Sequence, residues 1–330
     1  MKNGKIVTVT LHPSLDKTLI VHHLNIGYHN RVADTTHLDA SGRGMNVSRA
    51  AARLGVPTHA VVLLGGDAVG HAYRGLMGEE SFPATIIGQD GQTRSDTIIV
   101  DRGSEGETHI IDEGAGGTPE DIERVAAKLK EIILPDDMVV LAGLLPRDAS
   151  PDAFMLLENV AHEAGAHVTL MTASEALSRA LKATPELVVL TRLEAESLFN
   201  YPVRTDADMI SGGHKLREQG TGRVIIVADD FSSAVLIDEG ETWLAEIDET
   251  GPGTDSGVVD ALLAGYLAGL MQGHAPEVAF RLGAAAMNFA DSQIGNEFGT
   301  LEQLHQYERR VHVRNLEAHN SDPSLTQRGA

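Results

Sequence analysis

One acidic residue stands at the head of a long apolar segment, and glycine-bearing turns come directly before it. Asp260 begins the segment 260–273, and Gly251-Pro-Gly253 and Ser256-Gly257 precede it. The N–H groups of a glycine turn and of a first helical turn bind phosphate oxygens. A carboxylate at the same place can take a proton from an attacking hydroxyl, as in phosphoryl transfer to an alcohol. A helix N-cap or a first-turn acid explains the same pattern without any chemistry.

Further residues that could bind an anion, a sugar or a metal follow strands or precede helices. Asp16 follows the first strand, and Arg43 stands between two glycines with Asn46 three residues later. Arg94 can clamp an anionic substrate, and Glu194, just after another strand, can contact a hydrated Mg²⁺. Each of these signals is weak alone, because turn acids, surface arginines and first-turn acids are common.

The composition limits the partners of the chain. It has 330 residues, with 26 Lys and Arg against 47 Asp and Glu, which gives a formal charge of −21. Such a surface repels nucleic acid and anionic membranes, so we expect neither as a partner. The chain has no cysteine, which excludes disulfides and fits a reducing cytoplasm. Its first residues are typical of a strand and lack the apolar core of a signal peptide, so a cytoplasmic location is expected.

The order of elements predicts an α/β fold. Strands alternate with helices, which indicates a mostly parallel central sheet with helices on both faces. The stretches 12–40 and 84–112 contain extended segments without helices, and they predict a small β-sheet lid over the carboxyl ends of the main strands. We therefore expect one domain over residues 1–314. The polar segment 315–330 is expected to be a disordered tail.

Taken in order, these segments resemble the PfkB (ribokinase-like) sugar kinases, in particular the branch of 1-phosphofructokinases and tagatose-6-phosphate kinases. The resemblance covers about residues 5–310. No single match is decisive, but six in the same order are highly specific. The matching segments are Val7–Asp16, Ser41–Val47, Thr93-Arg94, Leu141–Pro146, Thr191–Glu194 and Gly257–Gly265.

This resemblance implies a ribokinase-like fold, ATP and Mg²⁺, and phosphorylation of a hydroxyl on a sugar phosphate. It also implies a homodimer formed through the lid. The residue roles that it implies are the following: Asp260 is the general base, Asp16, Gly42, Arg43, Asn46 and Arg94 bind the sugar phosphate, Gly257, Val258 and Val259 form the anion hole and bind nucleotide, Asn288 lies near the adenine, and Glu194 lies near Mg²⁺ through water.

The chain departs from the family pattern mainly on the nucleotide side. Val259 replaces the second glycine of the anion hole, and a β-branched residue rarely adopts positive φ, so we expect a different turn or strain of ~1–2 kcal/mol. The loop 227–232 lacks both glycines that the nucleotide-side loop of the family contains. Asp229 and Asp230 add negative charge there, where ATP is expected. Gly251–Asp255 could itself be an expanded anion-hole motif with Asp255 as the base, although the match to Asp260 needs no gap. Two functions therefore remain open: an active kinase, or a sugar-phosphate-binding regulatory relative with weak or no kinase activity.

Overall fold

Fourteen strands and ten α-helices are present in the computed structural model, which describes residues 4–33, 36–104 and 106–316. The strands are β1 (Ile6–Thr10), β2 (Ser14–Val21), β3 (His37–Ser41), β4 (Thr58–Gly65), β5 (Ala84–Gln89), β6 (Arg94–Asp101), β7 (Gly106–Ile110), β8 (Met138–Ala142), β9 (His167–Met171), β10 (Leu187–Thr191), β11 (Arg223–Val227), β12 (Ser233–Asp238), β13 (Glu241–Ile247) and β14 (Val311–Asn315). The helices are α1 (Arg43–Arg53), α2 (Ala68–Met77), α3 (Pro119–Ile132), α4 (Ala153–Glu163), α5 (Ser174–Ala180), α6 (Arg192–Phe199), α7 (Asp206–Glu218), α8 (Val258–Met271), α9 (Pro276–Asp291) and α10 (Leu301–Tyr307).

Ten of the strands form the main sheet, in the order β14-β13-β12-β11-β10-β9-β8-β1-β4-β5. The strands from β11 to β5 run parallel, and β12, β13 and β14 are joined to them by antiparallel pairing. The other four strands form a separate sheet in the order β3-β2-β6-β7, which we call the lid. The α/β fold with a small lid sheet, predicted from the sequence, is therefore confirmed.

Alternate residues of the central strands face two different helical layers, as the two-residue period of a strand requires. In β8, Val140 belongs to the cluster that contains α1, α8 and α9, whereas Val139 and Leu141 belong to the cluster under α3, α4 and α7. Helix α8 is buried at every residue from Val258 to Leu270, which explains its almost uniformly apolar sequence. This buried helix fixes the position of Asp260 in its first turn.

Three regions differ from the sequence-based expectation. Strand β5 lies at the edge of the main sheet, so the second part of the lid begins at Arg94 rather than at residue 84. Strands β13 and β14 and helix α10 are not predicted by the sequence patterns above. Because Asn315 is the last residue of β14, the expected tail begins too early, and residues 317–330 lie outside the described residues. Among the helices of the described residues, none is long and apolar enough to cross a membrane.

Candidate active site

A polar cavity of about 260 Å³ lies between the lid and the main sheet. Two helices, α1 and α8, pack together and both begin at this cavity, so both bring the positive end of a helix dipole to it. Most of the predicted site residues meet here. They are Asp16, Gly42, Arg43, Asn46, Arg94, Gly257, Val258, Val259 and Asp260.

Each of the two helices is preceded by a glycine that the local geometry requires. Gly42 has a φ of 123°, and a Cβ atom at this position would lie 2.6 Å from Cγ2 of Thr10. Gly257 has a φ of 76°, and its Cβ would lie 2.9 Å from the ring of Phe298. Left-handed backbone and close packing both exclude a side chain at these positions. The backbone can therefore approach a ligand closely at both helix N-termini.

Of the two alternatives expected at Val259, a different turn or strain, strain is absent. Gly257 alone takes the left-handed conformation, and Val259 is the second residue of α8, within the helical backbone. A valine is accommodated there because its φ is negative. Within the described residues, the N–H groups of Val259 and Asp260 donate to no other group of the chain. These N–H groups are the ones that an anion can occupy at the start of a helix.

The carboxylate of Asp260 is held by two donors from α1. Nε of Arg43 donates to its Oδ1 at 3.2 Å, and Nδ2 of Asn46 donates to its Oδ2 at 2.9 Å. The side chain is buried at 3% exposure. Burial raises the pKa of Asp260 above its ordinary range, while the charge of Arg43 and the two hydrogen bonds oppose this. A raised pKa makes the carboxylate a stronger base than an exposed aspartate.

Arg43 also bridges Asp260 to Glu194. Its Nη1 donates to Oε1 of Glu194 at 2.9 Å, and the two carboxylates keep the pKa of the guanidinium raised despite its burial. The other oxygen of Glu194 accepts the N–H of Thr191 at 2.8 Å. Each oxygen of Glu194 thus accepts one hydrogen bond and keeps a further acceptor site. A contact through water stays a prediction, and the described residues contain no group of three or more His, Asp or Glu that could hold a metal ion.

Strands β2 and β6 of the lid contribute four polar side chains, and strand register explains why they meet. In the parallel pairing of β2 with β6, Ser14 lies opposite Arg94 and Asp16 lies opposite Asp96. Residues two apart in a strand share a face, so all four project from the same side of the lid. All four line the cavity. The lid therefore presents one cation and two carboxylates to a bound ligand.

Asp16 and Arg94 each have an unused polar atom. Oδ1 of Asp16 and Nε of Arg94 are buried and have no hydrogen-bond partner in the described part of the chain. Nη1 of Arg94 contacts Oδ2 of Asp96 at 3.2 Å. Burial raises the pKa of Asp16 to about 6, while the hydroxyls of Ser14 and Ser41 lower it. Buried polar atoms without a partner are costly, so these two atoms are suited to a ligand that supplies one.

The loop of residues 249–257 carries the alternative base, Asp255. This residue lines the cavity but is exposed, whereas Asp260 is buried. The loop is fixed from behind by α9: N–H of Gly253 donates to the carbonyl of Asp291 at 2.8 Å, and Nδ2 of Asn288 donates to the carbonyl of Glu249 at 2.7 Å. Asn288 does not line the cavity. Its predicted place near the adenine stays a prediction.

The acidic loop 227–232 should repel a nucleotide less than its sequence indicates, because donors of the chain neutralise or engage its carboxylates. Asp229 accepts from Nε of Arg192 at 3.0 Å and from the N–H of Leu193 at 3.2 Å, at the start of α6. Asp230 accepts the hydroxyl of Ser232 at 2.7 Å. Local donors thus engage both carboxylates. Phe231 adopts a φ of 55° without being a glycine and buries its ring in the core.

Sequence reasoning missed Asn296. Its Nδ2 donates to Oγ of Ser41 at 3.2 Å, and its buried Oδ1 has no partner among the described residues. It lines the cavity between the lid and α8. The one signal in the sequence is Gly295 directly before it, which marks a turn. A Gly-Asn dipeptide is too common in turns to indicate a binding site. At least three buried polar atoms at the cavity therefore lack a hydrogen-bond partner among the described residues: Oδ1 of Asp16, Nε of Arg94 and Oδ1 of Asn296. A bound ligand could supply these partners.

The covered parallel sheet, the lid and the two helix N-termini around a buried carboxylate define the class of ribokinase-like phosphotransferases. Family comparison agrees, because the sequence profile of the pfkB family carbohydrate kinases matches residues 17–302. The chain therefore belongs to the PfkB family and is a carbohydrate kinase. Membership implies ATP as a substrate. The earlier family assignment from the sequence is confirmed.

Several 1-phosphofructokinases are similar to the chain over most of its length. The enzyme of Bacillus subtilis (strain 168) is 29% identical, with 94% of this chain and 100% of the relative aligned. That of Escherichia coli (strain K12) is 28% identical over 88% of this chain and 91% of the relative. The chain is thus a sugar or sugar-phosphate kinase similar to 1-phosphofructokinases.

Solved structures support the fold. Phosphofructokinase-2 from Escherichia coli in complex with substrates and products superposes with a TM-score of 0.84 at 21% identity, over 92% of this chain and 98% of that chain. A carbohydrate kinase from Agrobacterium tumefaciens gives a TM-score of 0.71 at 19% identity, over 95% and 100%. At such identities the likeness concerns the fold alone.

Proposed function

We propose that the protein transfers the γ-phosphoryl group of ATP to a hydroxyl of a sugar phosphate, of the fructose-1-phosphate or tagatose-6-phosphate type. The observation that carries this proposal is the buried carboxylate of Asp260, held at the meeting point of two helix N-termini. The names of the relatives, which are 1-phosphofructokinases, favour fructose-1-phosphate as the acceptor.

Asp260 acts as the general base. As the sugar hydroxyl oxygen attacks the γ-phosphorus, its proton passes to the carboxylate, and the bond from phosphorus to the bridging oxygen of ADP breaks. A positioned base contributes roughly 10²–10⁴-fold to such a rate. The N–H groups of Val259 and Asp260, which donate to no group among the described residues, stabilise the transferred phosphoryl group, and Gly257 allows close approach.

The sugar phosphate lies on the lid side. Arg94 is suited to its phosphate, and the free Oδ1 of Asp16 is suited to accept a hydroxyl of the sugar. Gly42 leaves room for the sugar at the start of α1, and Asn46 and Arg43 hold the base toward it. Binding and orientation of this kind supply a large part of the catalysis of phosphoryl transfer.

Arg43 keeps the site balanced in charge. Because it contacts both Asp260 and Glu194, neither carboxylate stands uncompensated beside the triphosphate. When bound, Mg²⁺ neutralises phosphate charge. Glu194 would contact its hydration shell, because each of its oxygens accepts one hydrogen bond and keeps a further acceptor site for a water.

A second candidate function is that of a sugar-phosphate-binding relative with weak or no kinase activity. The replacement of both loop glycines, with Phe231 at positive φ, favours it. The pairing of Asp229 with Arg192 favours the kinase instead, because it removes a free negative charge from that loop.

The two functions differ in a direct experiment. ATP consumption with Mg²⁺ is measured over fructose-1-phosphate, fructose-6-phosphate and tagatose-6-phosphate, and thermal shifts are recorded with each ligand alone. A kinase consumes ATP with at least one sugar phosphate and shows a Mg-ATP thermal shift. A thermal shift with a sugar phosphate but none with Mg-ATP, and no turnover, would establish the regulatory alternative.

The lid also supports a homodimer. Large apolar side chains are exposed on and beside it, at Ile26, Tyr28, Ile110 and Ile111, with exposures between 58% and 90%. A second copy would cover them. Sedimentation analysis of the wild type and of Ile110→Glu tests this: a dimer that the substitution converts to a monomer supports the lid interface, and a wild-type monomer contradicts it.

A further inference from the structure

The 249–257 loop is held from two sides, and only one of them belongs to the main domain. Behind the loop, Thr254 donates its N–H to the carbonyl of Gln293 at 2.8 Å and accepts the N–H of Gly295 on its hydroxyl at 3.0 Å. In front of it stands strand β7 of the lid. The loop ends at Gly257, which begins α8 and the proposed anion hole. A contact between the lid and this loop can therefore affect where the anion hole lies relative to the reacting phosphoryl group.

That contact is made by Glu107. Its Oε1 accepts the N–H of Asp255 at 3.0 Å, and its Oε2 contacts Nε2 of His109 at 2.8 Å. Glu107 and His109 are two residues apart on β7, so their side chains share a face of the lid. His109 thus orients the carboxylate, and the carboxylate holds the backbone of the loop. We call these three groups the lid catch.

Electrostatics support the same arrangement. The hydrogen bond to Glu107 raises the pKa of His109, and Asp255 and Asp16 act in the same direction against the effect of burial. Partial desolvation beside the lid and the charge of Glu107 raise the pKa of Asp255, while His109 lowers it. The imidazole therefore reduces the repulsion between the two acids that the contact brings together.

We propose that the lid catch couples closure of the lid to the position of the anion hole, so that Glu107 and His109 are positioning residues for phosphoryl transfer. When the lid lies over the sugar phosphate, Glu107 fixes the N–H of Asp255, two residues before Gly257. When the lid lifts, this anchor is lost and the loop is held from behind, by α9 and by Gln293 and Gly295 of the turn that follows α9. The inference rests on the proposed kinase function.

The catch can be tested without any turnover by hydrogen–deuterium exchange of the full chain. We expect the amides of residues 251–257 to exchange about tenfold faster in Glu107→Ala than in the wild type, because a hydrogen bond to a charged acceptor is lost. Glu107→Gln keeps an acceptor oxygen and should show a smaller change. Thr108→Ala on the opposite face of the same strand is the matched control and should exchange like the wild type.

Steady-state kinetics give the second readout. Glu107→Ala should lower kcat about tenfold and change the KM for the sugar phosphate less than threefold, because Glu107 does not line the cavity. Exchange and kcat equal to those of Thr108→Ala would overturn the proposal, as would faster exchange with unchanged kcat or the reverse. If the wild type shows no turnover, the kinase function fails, and the proposed coupling to phosphoryl transfer fails with it, while exchange alone still decides whether the catch exists.

Discussion

Replacement of Asp16 by asparagine should make the protein more stable and a poorer enzyme. The folded state holds this carboxyl in a buried site, where its pKa is raised from 3.8 to about 6. The unfolded chain ionises it first, so its contribution to stability is fully present below pH 3.8 and is lost as the pH rises to 6. One pKa unit corresponds to about 1.4 kcal/mol, so the loss reaches at most about 3 kcal/mol.

Chemical denaturation of the wild type and of Asp16→Asn between pH 4 and 8 measures this effect. We expect the two free energies of unfolding to agree near pH 4 and the variant to gain about 1–3 kcal/mol above pH 6. Asp90→Asn changes an exposed aspartate, and its curve should follow the wild type. A variant that is less stable at pH 8, or a difference independent of pH, would refute the reasoning.

Whereas ionisation of Asp16 at higher pH lowers the stability of the fold, it should raise the enzyme's activity. If ionised Asp16 accepts a sugar hydroxyl, kcat/KM for the sugar phosphate falls about tenfold for each pH unit below about 6. The Asp16→Asn enzyme should lose the part of this acidic limb that Asp16 causes, keep the part that protonation of Asp260 causes, and show a raised KM at pH 8. A wild-type profile that is flat between pH 5 and 7 would contradict the assignment of Asp16 to the substrate.

Three further perturbations test other parts of the molecule. Burial raises the pKa of Glu158 to about 8, so the wild type should lose a few kcal/mol of unfolding free energy as the pH rises from 4.5 to 8. Glu158→Met should abolish this loss, whereas the exposed Glu163→Gln should keep it. An equal dependence of unfolding free energy on pH in both variants would contradict this. Gly257→Ala should cost roughly 1–2 kcal/mol in stability and at least tenfold in kcat, because its φ is 76°, and a fully active variant would exclude the required turn. Arg192→Ala leaves Asp229 without its cation and should raise the KM for ATP roughly 2–10-fold at constant sugar-phosphate KM; an unchanged ATP KM would remove the loop from the nucleotide site.

The local patterns of the chain predict most of the elements, because buried parallel strands and capped helices have clear periodicity. Helix α3 has Thr118 as its N-cap, with a reciprocal capping box to Asp121. Strands β13 and β14 were both missed. Strand β14 lies at the edge of the main sheet and is only partly buried, so its pattern is weak. Assignment of β5 to the lid failed for a different reason, since a strand pattern does not state which sheet the strand joins.

The candidate site depends on contacts that local patterns do not contain. Arg43 and Asn46 reach Asp260 across more than 200 residues of chain, and only the ordered resemblance to a family placed them together. Strain at Val259, one of the two alternatives expected there, is absent. The sequence could not show this, because motif alignment assigns residue types and not φ angles. Asp229 was predicted to repel a nucleotide, yet its partner Arg192 lies 37 residues away in the chain.

The central claim is that Asp260 takes the proton of the sugar hydroxyl. The most direct test is kcat for ATP-dependent phosphorylation by Asp260→Asn, measured with the sugar phosphate that the wild type uses best, with its affinity determined by calorimetry. We expect kcat to fall by at least about 10²-fold, while the dissociation constant of the sugar phosphate stays within a few-fold of the wild type. Asp255→Asn should keep most of the activity. Full activity in Asp260→Asn, or loss of activity only in Asp255→Asn, would contradict the account.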